Sequence, residues 1–375
     1  MAKPDILVIG GGVTGTITAI TLAEAGAKVT LVDAGVNAGS DANAGSLHVQ
    51  MQSRFMRLYP DQVPNVEAAL PFYRAAAEEW VKLDAALGGV ELVRKGGLML
   101  AETADQLAFL EKKAAREAAK GLSVELLDRV SLDRIAPWLG PQIVGAELCR
   151  DEGKLNPLLA NRLLKRRAEA AGVTRLTDRV TQLRMTSHDV EIDTPDATLH
   201  ADQVVIAAAW GSGDLVNAFS VTLPTRAEPL HMNITEPGAP VINHLVQHAE
   251  RSITLKQFSS GQIVIGGGWP ATSQGSHAPP TVRHDSMLQN VALAARLAPA
   301  ISSLKVIRTW AGMNTTIDGA SVIGPLPYTK RIIMAIPGDA GYTLGPLVGR
   351  MAAQIAMDAP TDFDAGPFSP ARFAN

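Results

Sequence analysis

The N-terminal segment joins an apolar run, a glycine-rich turn and a distant carboxylate in an order that few folds accept. The run Ile6–Ile9 predicts a buried parallel strand, and Gly10, Gly12 and Gly15 follow at the Gly-x-Gly-x-x-Gly spacing. Asp33 ends the next apolar strand, roughly 20 residues on, where a carboxylate can accept hydrogen bonds from both ribose hydroxyls. The segment therefore predicts a dinucleotide-binding unit rather than an ordinary tight turn. A carboxylate at this position favours FAD or NAD over NADP.

A helix is predicted after each of two glycine-rich turns. The first helix starts near Val13 and stops at Gly26, so its N-terminal amides and positive dipole end face the expected phosphates. Near the C-terminus a strand leads into the turn Gly338–Gly345, and a second helix is expected through Met357. A helix dipole at that turn would stabilise negative charge on a bound flavin ring.

Composition excludes several classes of protein. The chain has 375 residues, 46% of them hydrophobic and 19% charged, which allows two domains with substantial cores. A net charge of −3 gives no basic surface for nucleic acid, and no apolar stretch is long enough for a membrane span. The first strand begins almost at once, which leaves no room for a signal peptide, so a cytoplasmic location is expected. Cys149 is the only cysteine, which excludes an internal disulfide and a cysteine-ligated iron–sulfur cluster.

The predicted strands indicate an α/β fold with two domains interleaved along the chain. Short buried strands near residues 5, 28, 203 and 331 are typical of one parallel sheet, whereas the pattern from 221 to 268 is typical of another sheet. We expect a Rossmann-like cofactor domain interleaved with an α+β substrate domain built on an antiparallel sheet. The expected cofactor domain comprises residues 1–90, 150–220 and 310–375, and the expected substrate domain comprises 91–149 and 221–309.

Four blocks together resemble the glycine/D-amino-acid oxidase (DAO) family of FAD-dependent enzymes. They are the glycine motif with Asp33, the loop Ser40-Asp-Ala-Asn-Ala-Gly-Ser46, the run Trp310-Ala-Gly-Met-Asn314 with Asp318-Gly319 and Ile323-Gly324, and the turn and helix from Gly338 to Gly349. The order of the last two blocks separates this family from the flavin hydroxylases. The run from Trp310 to Asn314 and the scarcity of cysteines are most similar to catalytic flavin subunits of opine or hydroxyproline dehydrogenases.

The resemblance implies a glutathione-reductase-type fold and a set of FAD contacts along the chain. Neither a histidine in the Ala42–Asn43 loop nor a cysteine near Met313 is present, so the FAD is expected to be non-covalent. The implied cofactor-binding residues are Gly10, Gly12, Val13, Thr14, Gly15, Asp33, Ala34, Ser40, Ala44, Gly45, Leu47, Val180, Gly312, Gly338, Gly341, Tyr342, Thr343 and Leu344.

The chain also departs from the family pattern at two cationic positions. Many members carry an arginine in the Trp-Ala-Gly block that grips the substrate carboxylate, whereas this chain has Met313 and Asn314. Arg54, Arg57 and Lys256 are the candidates for a replacement cation. Members that react fast with oxygen can carry a lysine where this chain aligns Val264, so its absence favours a dehydrogenase.

Three residues are candidates for facing the substrate: His48, Asn314 and Tyr342. Each also has a plain structural interpretation, and the family chemistry does not require a dedicated general base. His244 and His248 have a spacing that binds metal on a helix, but no carboxylate motif accompanies them and no metal site is expected.

The resemblance implies FAD-dependent oxidation of the C–N bond of an amino acid or secondary amine, followed by hydrolysis of the imine to a keto acid. The expected partners are a small amine or amino-acid substrate and an electron-accepting subunit, which would have to bring any iron–sulfur cluster. Three alternatives remain open: an oxygen-using oxidase, a subunit in which FAD is structural, and an NAD-dependent dehydrogenase.

Overall fold

The computed structural model describes residues 5–36 and 39–374, and within them the chain forms ten α-helices. No helix in this part of the chain is long and apolar enough to cross a membrane. The helices are α1 (Val13–Glu24), α2 (Ser53–Leu58), α3 (Val63–Ala68), α4 (Leu70–Leu87), α5 (Ala104–Ala119), α6 (Arg129–Ile135), α7 (Pro157–Ala170), α8 (Ser212–Val216), α9 (His284–Leu297) and α10 (Gly341–Ala356).

Nineteen strands lie in the same described ranges. They are β1 (Asp5–Ile9), β2 (Lys28–Asp33), β3 (Ser46–Leu47), β4 (Gly97–Ala101), β5 (Val124–Asp128), β6 (Gly145–Cys149), β7 (Gly153–Lys154), β8 (Thr174–Thr177), β9 (Gln182–Met185), β10 (Val190–Asp193), β11 (Thr198–Ala201), β12 (Gln203–Ile206), β13 (Arg226–Thr235), β14 (Leu245–His248), β15 (Thr254–Gln257), β16 (Ile263–Gly266), β17 (Val306–Thr316), β18 (Val322–Pro325) and β19 (Ile332–Ile336).

The chain divides into two compact units, each assembled from separate stretches of sequence. Unit 1 comprises residues 1–41, 158–228 and 314–375, and unit 2 comprises 42–157 and 229–313. The predicted α/β class is confirmed, since one unit is built on a largely parallel sheet and the other on a largely antiparallel sheet.

Unit 1 is organised around a six-stranded sheet in the order β18-β19-β12-β1-β2-β8. The strands β19, β12, β1, β2 and β8 pair in parallel, and β18 joins β19 in the antiparallel sense. Every residue from Ile6 to Ile9 is at most 5% exposed, which explains the uninterrupted apolar run. The strands expected near residues 5, 28, 203 and 331 all belong to this sheet.

Two helices of unit 1 approach closely because α10 presents glycines to α1. A Cβ on Gly349 would lie 2.5 Å from the carbonyl oxygen of Thr14, and one on Gly345 would lie 2.6 Å from a methyl carbon of Val13. The Thr18 hydroxyl donates to the Gly349 carbonyl at 3.1 Å. The glycines of the predicted C-terminal helix therefore set its distance from α1.

Unit 2 is organised around an eight-stranded sheet in the order β17-β13-β16-β15-β14-β4-β6-β5. One face is an apolar core that includes Leu98, Val246, Leu255 and Ile265. These residues are register partners across neighbouring strands, so they lie on the same face. The expected antiparallel sheet contains one parallel pair, since β14 runs parallel to β4 after a long crossover.

The unit boundaries differ from the predicted domain boundaries in the stretch after Asp41. Residues 42–90 were assigned to the cofactor domain, but they belong to unit 2. The reason is packing: Val49, Met51 and Leu70 share a hydrophobic cluster with Cys149 on β6. The same division places 150–157 and 310–313 in unit 2, and 221–228 in unit 1.

The other face of the unit 2 sheet carries a buried cluster of charges. Lys113 on α5 lies 2.9 Å from Glu117 and 2.8 Å from Glu147, and all three side chains have 0% exposure. Glu117 also accepts a hydrogen bond from the Met51 amide. Burial raises the pKa of Glu117 to about 9, although Lys113 opposes this, and a hydrogen bond to Glu147 raises it further. A pKa of about 9 favours the protonated form of Glu117 at neutral pH.

We expect Gly349→Val to destabilise the fold by about 1–3 kcal/mol, since the added side chain has no space between α1 and α10. Urea unfolding of the purified protein measures this. Ala115→Val is the control, because it places the same valine side chain at an exposed position of α5. Equal losses in the two variants would contradict the close packing of the helices.

We expect the Lys113 cluster to make stability depend on pH with a defined sign. Glu117 has a pKa of about 9 in the folded protein against 4.5 for an unperturbed glutamate, so unfolding releases a proton between these values. The stabilisation is complete below pH 4.5 and is lost as pH rises toward 9. Glu117→Gln retains a hydrogen-bond donor toward Glu147 but has no proton to release. Its free energy of unfolding should therefore vary less with pH than that of the wild type, roughly between pH 6 and 9, where this linkage acts.

Glu147→Gln serves as the paired variant for this cluster. It removes the carboxylate that lies 2.8 Å from the buried Lys113 ammonium, so it should cost about 3 kcal/mol at neutral pH, far more than Glu117→Gln. If the two substitutions cost the same and their pH dependence is unchanged, the assignment of the proton to Glu117 is wrong.

Candidate active site

The first glycine turn of unit 1 brings strand, turn and helix too close for side chains. Gly10 has a φ of +105°, and a Cβ there would lie 2.3 Å from the carbonyl oxygen of Ala207. A Cβ on Gly15 would lie 1.9 Å from the Gly10 carbonyl oxygen. Both predicted glycines are thus required by packing, and they leave the backbone of the turn open to a ligand.

The N-terminus of α1 carries features that fit a pyrophosphate. Gly12 occupies the cap position with no side-chain cap, and the first turn has no acidic residue. The Val13 amide donates to the Ser40 hydroxyl at 2.9 Å, which places the predicted Ser40 beside Val13 and the adjoining Thr14. Amides and a positive dipole end at an uncapped helix start form an anion site.

Asp33 lies next to this turn, as its predicted ribose contact requires. Its carboxylate accepts from the Gly11 amide at 2.6 Å and from the Gly35 amide at 2.8 Å, and Ala34 follows it directly. A carboxylate has about four acceptor sites, so hydroxyl groups can still bind. Thr177 on β8 is the register partner of Asp33, which brings the predicted Val180 to the same edge of the sheet.

The second glycine turn offers another uncapped helix start within unit 1. Gly338 has a φ of +82°, and α10 begins at Gly341 with no side-chain cap and no acidic residue in its first turn. Thr343 and Leu344 are each 1% exposed at the start of this helix. The Asn314 amide donates to Asp339 in the turn at 2.6 Å, and it also lies 3.3 Å from a Glu228 oxygen.

The side chain of Tyr342 is part of a tether rather than an open surface. Its hydroxyl donates to Asn161 at 2.9 Å, and the Asn161 amide donates to the Ser40 carbonyl at 2.7 Å. Burial raises the pKa of the Tyr342 phenol, and the nearby Asp41 raises it further. The contact favours a structural role for Tyr342 over the predicted substrate-facing role. Asn161 had no sequence signal, because it lies on an ordinary amphipathic helix.

In unit 2 the loop that follows Asp41 is held by short contacts. The Asn43 side chain accepts from the Gly45 amide at 2.7 Å, next to the predicted Ala44. The Trp310 indole donates to the Ala42 carbonyl at 2.8 Å, and a Cβ on Gly312 would lie 2.5 Å from the Cβ of Ala42. The Trp-Ala-Gly block therefore supports the loop predicted to lie against the flavin.

Glu152 organises the segment after this loop, and it was missed in the sequence. Its buried carboxylate accepts from the Val49 amide at 2.8 Å and from the side chains of Gln50 at 2.8 Å and Gln247 at 2.7 Å. His48 Nδ1 lies 3.8 Å from the same carboxylate, and its side chain is 25% exposed. Glu152 thus positions the backbone that carries His48.

The three candidate cations of unit 2 have different surroundings. Arg57 pairs with Glu250 at 3.4 Å and stacks over Phe109, so it is engaged. The Arg54 guanidinium lies against Gly268, since a Cβ on Gly268 would lie 2.7 Å from a guanidinium nitrogen of Arg54. Lys256 is fully buried and donates to the Ser46 hydroxyl, and burial together with the Lys154 charge lowers its pKa to about 7.

Lys154 was not predicted as a site residue. It is the register partner of Ser46, it is 5% exposed, and burial lowers its pKa to about 8. The sequence carried a signal for this residue, since the charged segment Arg150–Lys154 directly follows a buried strand. The two spaced histidines do not form a metal pair: His248 lies in strand β14, and no cluster of three metal-binding residues occurs within 5–36 and 39–374.

The residues of both glycine turns fit a bound FAD on geometric grounds. Side chains are absent where the backbone is closest, the cap residues of two helix starts in unit 1 provide no side-chain cap, and a carboxylate stands at the first turn. The structure brings together the predicted residues of the first turn, and separately those of the second. The individual FAD contacts stay predictions.

Comparison with known proteins agrees with this fit. Residues 5–355 match the family described as FAD dependent oxidoreductase (DAO). The chain is 26% identical to glycine oxidase of Bacillus licheniformis over 370 residues, which covers 95% of this chain and 94% of that protein. It is 25% identical to one of the subunits of opine oxidase from Agrobacterium tumefaciens (strain Ach5), covering 86% and 85% of the two chains. The crystal structure of glycine oxidase from Geobacillus kaustophilus superposes with a TM-score of 0.83 at 23% identity, covering 100% of both chains.

The matched region includes both glycine turns and most of the two units. Amine or amino-acid oxidation with FAD is the chemistry of this family, as the resemblance predicted. The chain belongs to the DAO family of FAD-dependent oxidoreductases.

Proposed function

We propose that this chain is the catalytic flavin subunit of a dehydrogenase that oxidises the C–N bond of an amino acid. The proposed substrate is a D-amino acid or a secondary amine of opine or hydroxyproline type, and the product imine hydrolyses to a keto acid. The observation that carries the proposal is the pair of helix starts in unit 1 whose cap residues bring no side-chain cap, together with the glycines that line the two turns. The opine oxidase relative, itself one subunit of its enzyme, supports a partner subunit that receives the electrons.

The proposed FAD contacts follow from the two turns and the adjoining loop. When bound, FAD accepts a hydride from the carbon beside the amine nitrogen, so the protein itself has mainly to bind and orient. The amides at the start of α1 hold phosphate and Asp33 holds ribose. The residues assigned to FAD are Gly10, Gly12, Val13, Thr14, Gly15, Asp33, Ala34, Ser40, Ala44, Gly45, Leu47, Val180, Gly312, Gly338, Gly341, Tyr342, Thr343 and Leu344.

The proposed substrate-facing residues are held in place by neighbouring groups. His48 stands on the segment held by Glu152, and it is the partly exposed titratable group there. Asn314 is fixed by its hydrogen bond to Asp339 in the second turn. We assign to His48 the proton that the substrate ammonium would lose to give the neutral amine. Tyr342 holds Asn161 and the Ser40 loop in place.

A second candidate function is an oxygen-using oxidase, and one observation favours it. Val264 stands where fast oxidases can carry a lysine, but its register partner across the sheet is Lys256. Because directly opposed residues share a face, a cation is present on that face although it lies one strand away. Reactivity toward oxygen distinguishes the two functions.

We expect an amine substrate to bleach the protein-bound flavin under anaerobic conditions, at the oxidised-flavin band near about 450 nm. Titration with opines, hydroxyprolines, D-amino acids and N-methyl amino acids identifies the class. Slow return of colour in air supports the dehydrogenase, whereas rapid return with peroxide formation supports the oxidase. A flavin spectrum that no amine bleaches would indicate a structural FAD, and a colourless reconstituted protein would refute the cofactor assignment.

We expect Asp33→Ala to weaken FAD binding by roughly 10-fold or more, because it removes a charge-assisted acceptor for the ribose hydroxyls. Fluorescence of released FAD during dilution measures the change. Asp178→Ala is the control, since Asp178 follows β8 on the same edge of the sheet and its carboxylate accepts only a local amide among the hydrogen bonds of the described residues. Equal retention of FAD by both variants would remove Asp33 from the site.

A further inference from the structure

The amine of Lys256 is buried, and little in its surroundings balances the positive charge of its protonated form. Its residue is 1% exposed on β15, and its Nζ donates to the Ser46 hydroxyl, a neutral acceptor. Among residues 5–36 and 39–374, no carboxylate oxygen lies within 4.0 Å of this Nζ. An ammonium has three donors, so the charge and two of the donors are left for another group.

Lys113 of the same unit shows how a buried lysine is normally accommodated. It lies within 3 Å of two carboxylates, Glu117 and Glu147, and they raise its pKa against the effect of burial. At Lys256 burial lowers the pKa instead. Two equally buried lysines in one unit therefore differ in one respect, which is the presence of an anion.

A second lysine increases the positive charge at this place. Lys154 lies opposite Ser46 in the β3–β7 pair, and its Nζ donates to the carbonyl of Ile242 at 3.1 Å. Its charge is among the causes that lower the pKa of Lys256. Glu152, two residues before Lys154, is already held by Gln50 and Gln247. No group in the described part of unit 2 neutralises the pair.

We propose that Lys256 and Ser46, with Lys154 behind them, form the subsite that binds the carboxylate of the substrate. The inference rests on the proposed function and names the anion that this site takes. It assigns the role of the absent arginine to a lysine on β15, since the Trp-Ala-Gly block has Met313 and Asn314 instead.

One alternative cation within unit 2, Arg57, is already engaged. Arg57 is paired with Glu250 and stacked on Phe109. Lys256 lies on the sheet face that carries Val264, the position at which relatives can present a cation. In a buried site a charge-assisted hydrogen bond is about twice as strong as a neutral one, so one lysine and one hydroxyl suffice to hold a carboxylate.

The subsite has a consequence for pH that follows from its charges. A carboxylate binds the protonated lysine, and the pKa of Lys256 is about 7 while that of Lys154 is about 8. His244 next to Lys154 has a pKa of about 4, lowered by burial and by the Lys154 charge, so it stays neutral above pH 7. Carboxylate affinity should therefore fall as pH rises from 7 to 9.

The test uses the FAD-loaded protein and two probes, pyrrole-2-carboxylate and pyrrole-2-carboxamide. The pyrrole ring is aromatic and has no sp3 carbon bearing hydrogen beside the nitrogen, so neither probe is oxidised. Binding is followed by perturbation of the flavin spectrum. We expect the wild type to prefer the carboxylate, and its dissociation constant to rise toward 10-fold per pH unit above about pH 8.

Lys256→Met should weaken carboxylate binding by roughly 10- to 100-fold, leave carboxamide binding unchanged and remove most of the pH dependence. Lys256→Arg should restore part of the preference, and Lys154→Met should reduce it without abolishing it. Lys305→Met, an exposed lysine of the same unit, is the control and should match the wild type.

The proposal is overturned if Lys256→Met keeps the carboxylate preference and its pH profile. It is also overturned if the wild type shows no preference or no fall between pH 7 and 9, a result that needs no variant to fold. Failure of the proposed function is a separate outcome, since the wild type would then bind the carboxylate while no amine bleaches the flavin.

Discussion

The close approach of backbone to backbone at the first glycine turn is the constraint on which unit 1 depends. A side chain at Gly10 or Gly15 would overlap a carbonyl oxygen, so strand, turn and helix can meet in this way only with glycine. The cap residue of α1, Gly12, brings no side chain of its own to this start. Gly345 and Gly349 then allow α10 to pack on α1, and α10 presents a second uncapped start. Packing and the proposed ligand geometry therefore share the same residues.

Unit 2 depends on a different interaction, the burial of charge on one face of its sheet. At Lys113 two glutamates and a retained proton balance the lysine, and the cluster joins α5 to the segment at Met51. At Lys256 no such balance exists within the described residues. Burial of an unpaired charge costs several kcal/mol, so a fold that tolerates it gives up stability. Such a cost is typical of functional sites, where the missing partner arrives with the ligand.

The sequence predicts well where a contact is local and less well where it depends on register between distant strands. The unit from β1 to Asp33 is local, since strand, turn, helix and carboxylate occupy about 30 consecutive residues, which is the length of one βαβ unit. Glu152, Lys154 and Asn161 escaped notice because their partners lie about 90 to 120 residues away, and no periodicity reports them. The boundary at Asp41 was missed for a similar reason. The apolar pattern of residues 46–51 indicates burial, but it does not say which sheet the segment joins.

The register of β15 against β16 places a cation, Lys256, opposite Val264, the position at which fast oxidases of the family can carry a lysine. Val264 alone suggests that this face is apolar, and for that reason the sequence favours a dehydrogenase over an oxygen-using oxidase. Lys256 is directly opposite, so the face is cationic after all, but its amine is directed to Ser46 on the loop that begins unit 2. The position of a charge relative to the reacting atoms decides what it does, because electrostatic interactions in a buried site fall off with distance and depend on orientation. A lysine tied to Ser46 is placed to hold a carboxylate, whereas a lysine at 264 would project from the neighbouring strand. The shift of one strand therefore separates the proposed role of Lys256 in substrate binding from oxygen activation. In this proposal a single residue, Lys256, accounts for both the missing arginine and the missing lysine.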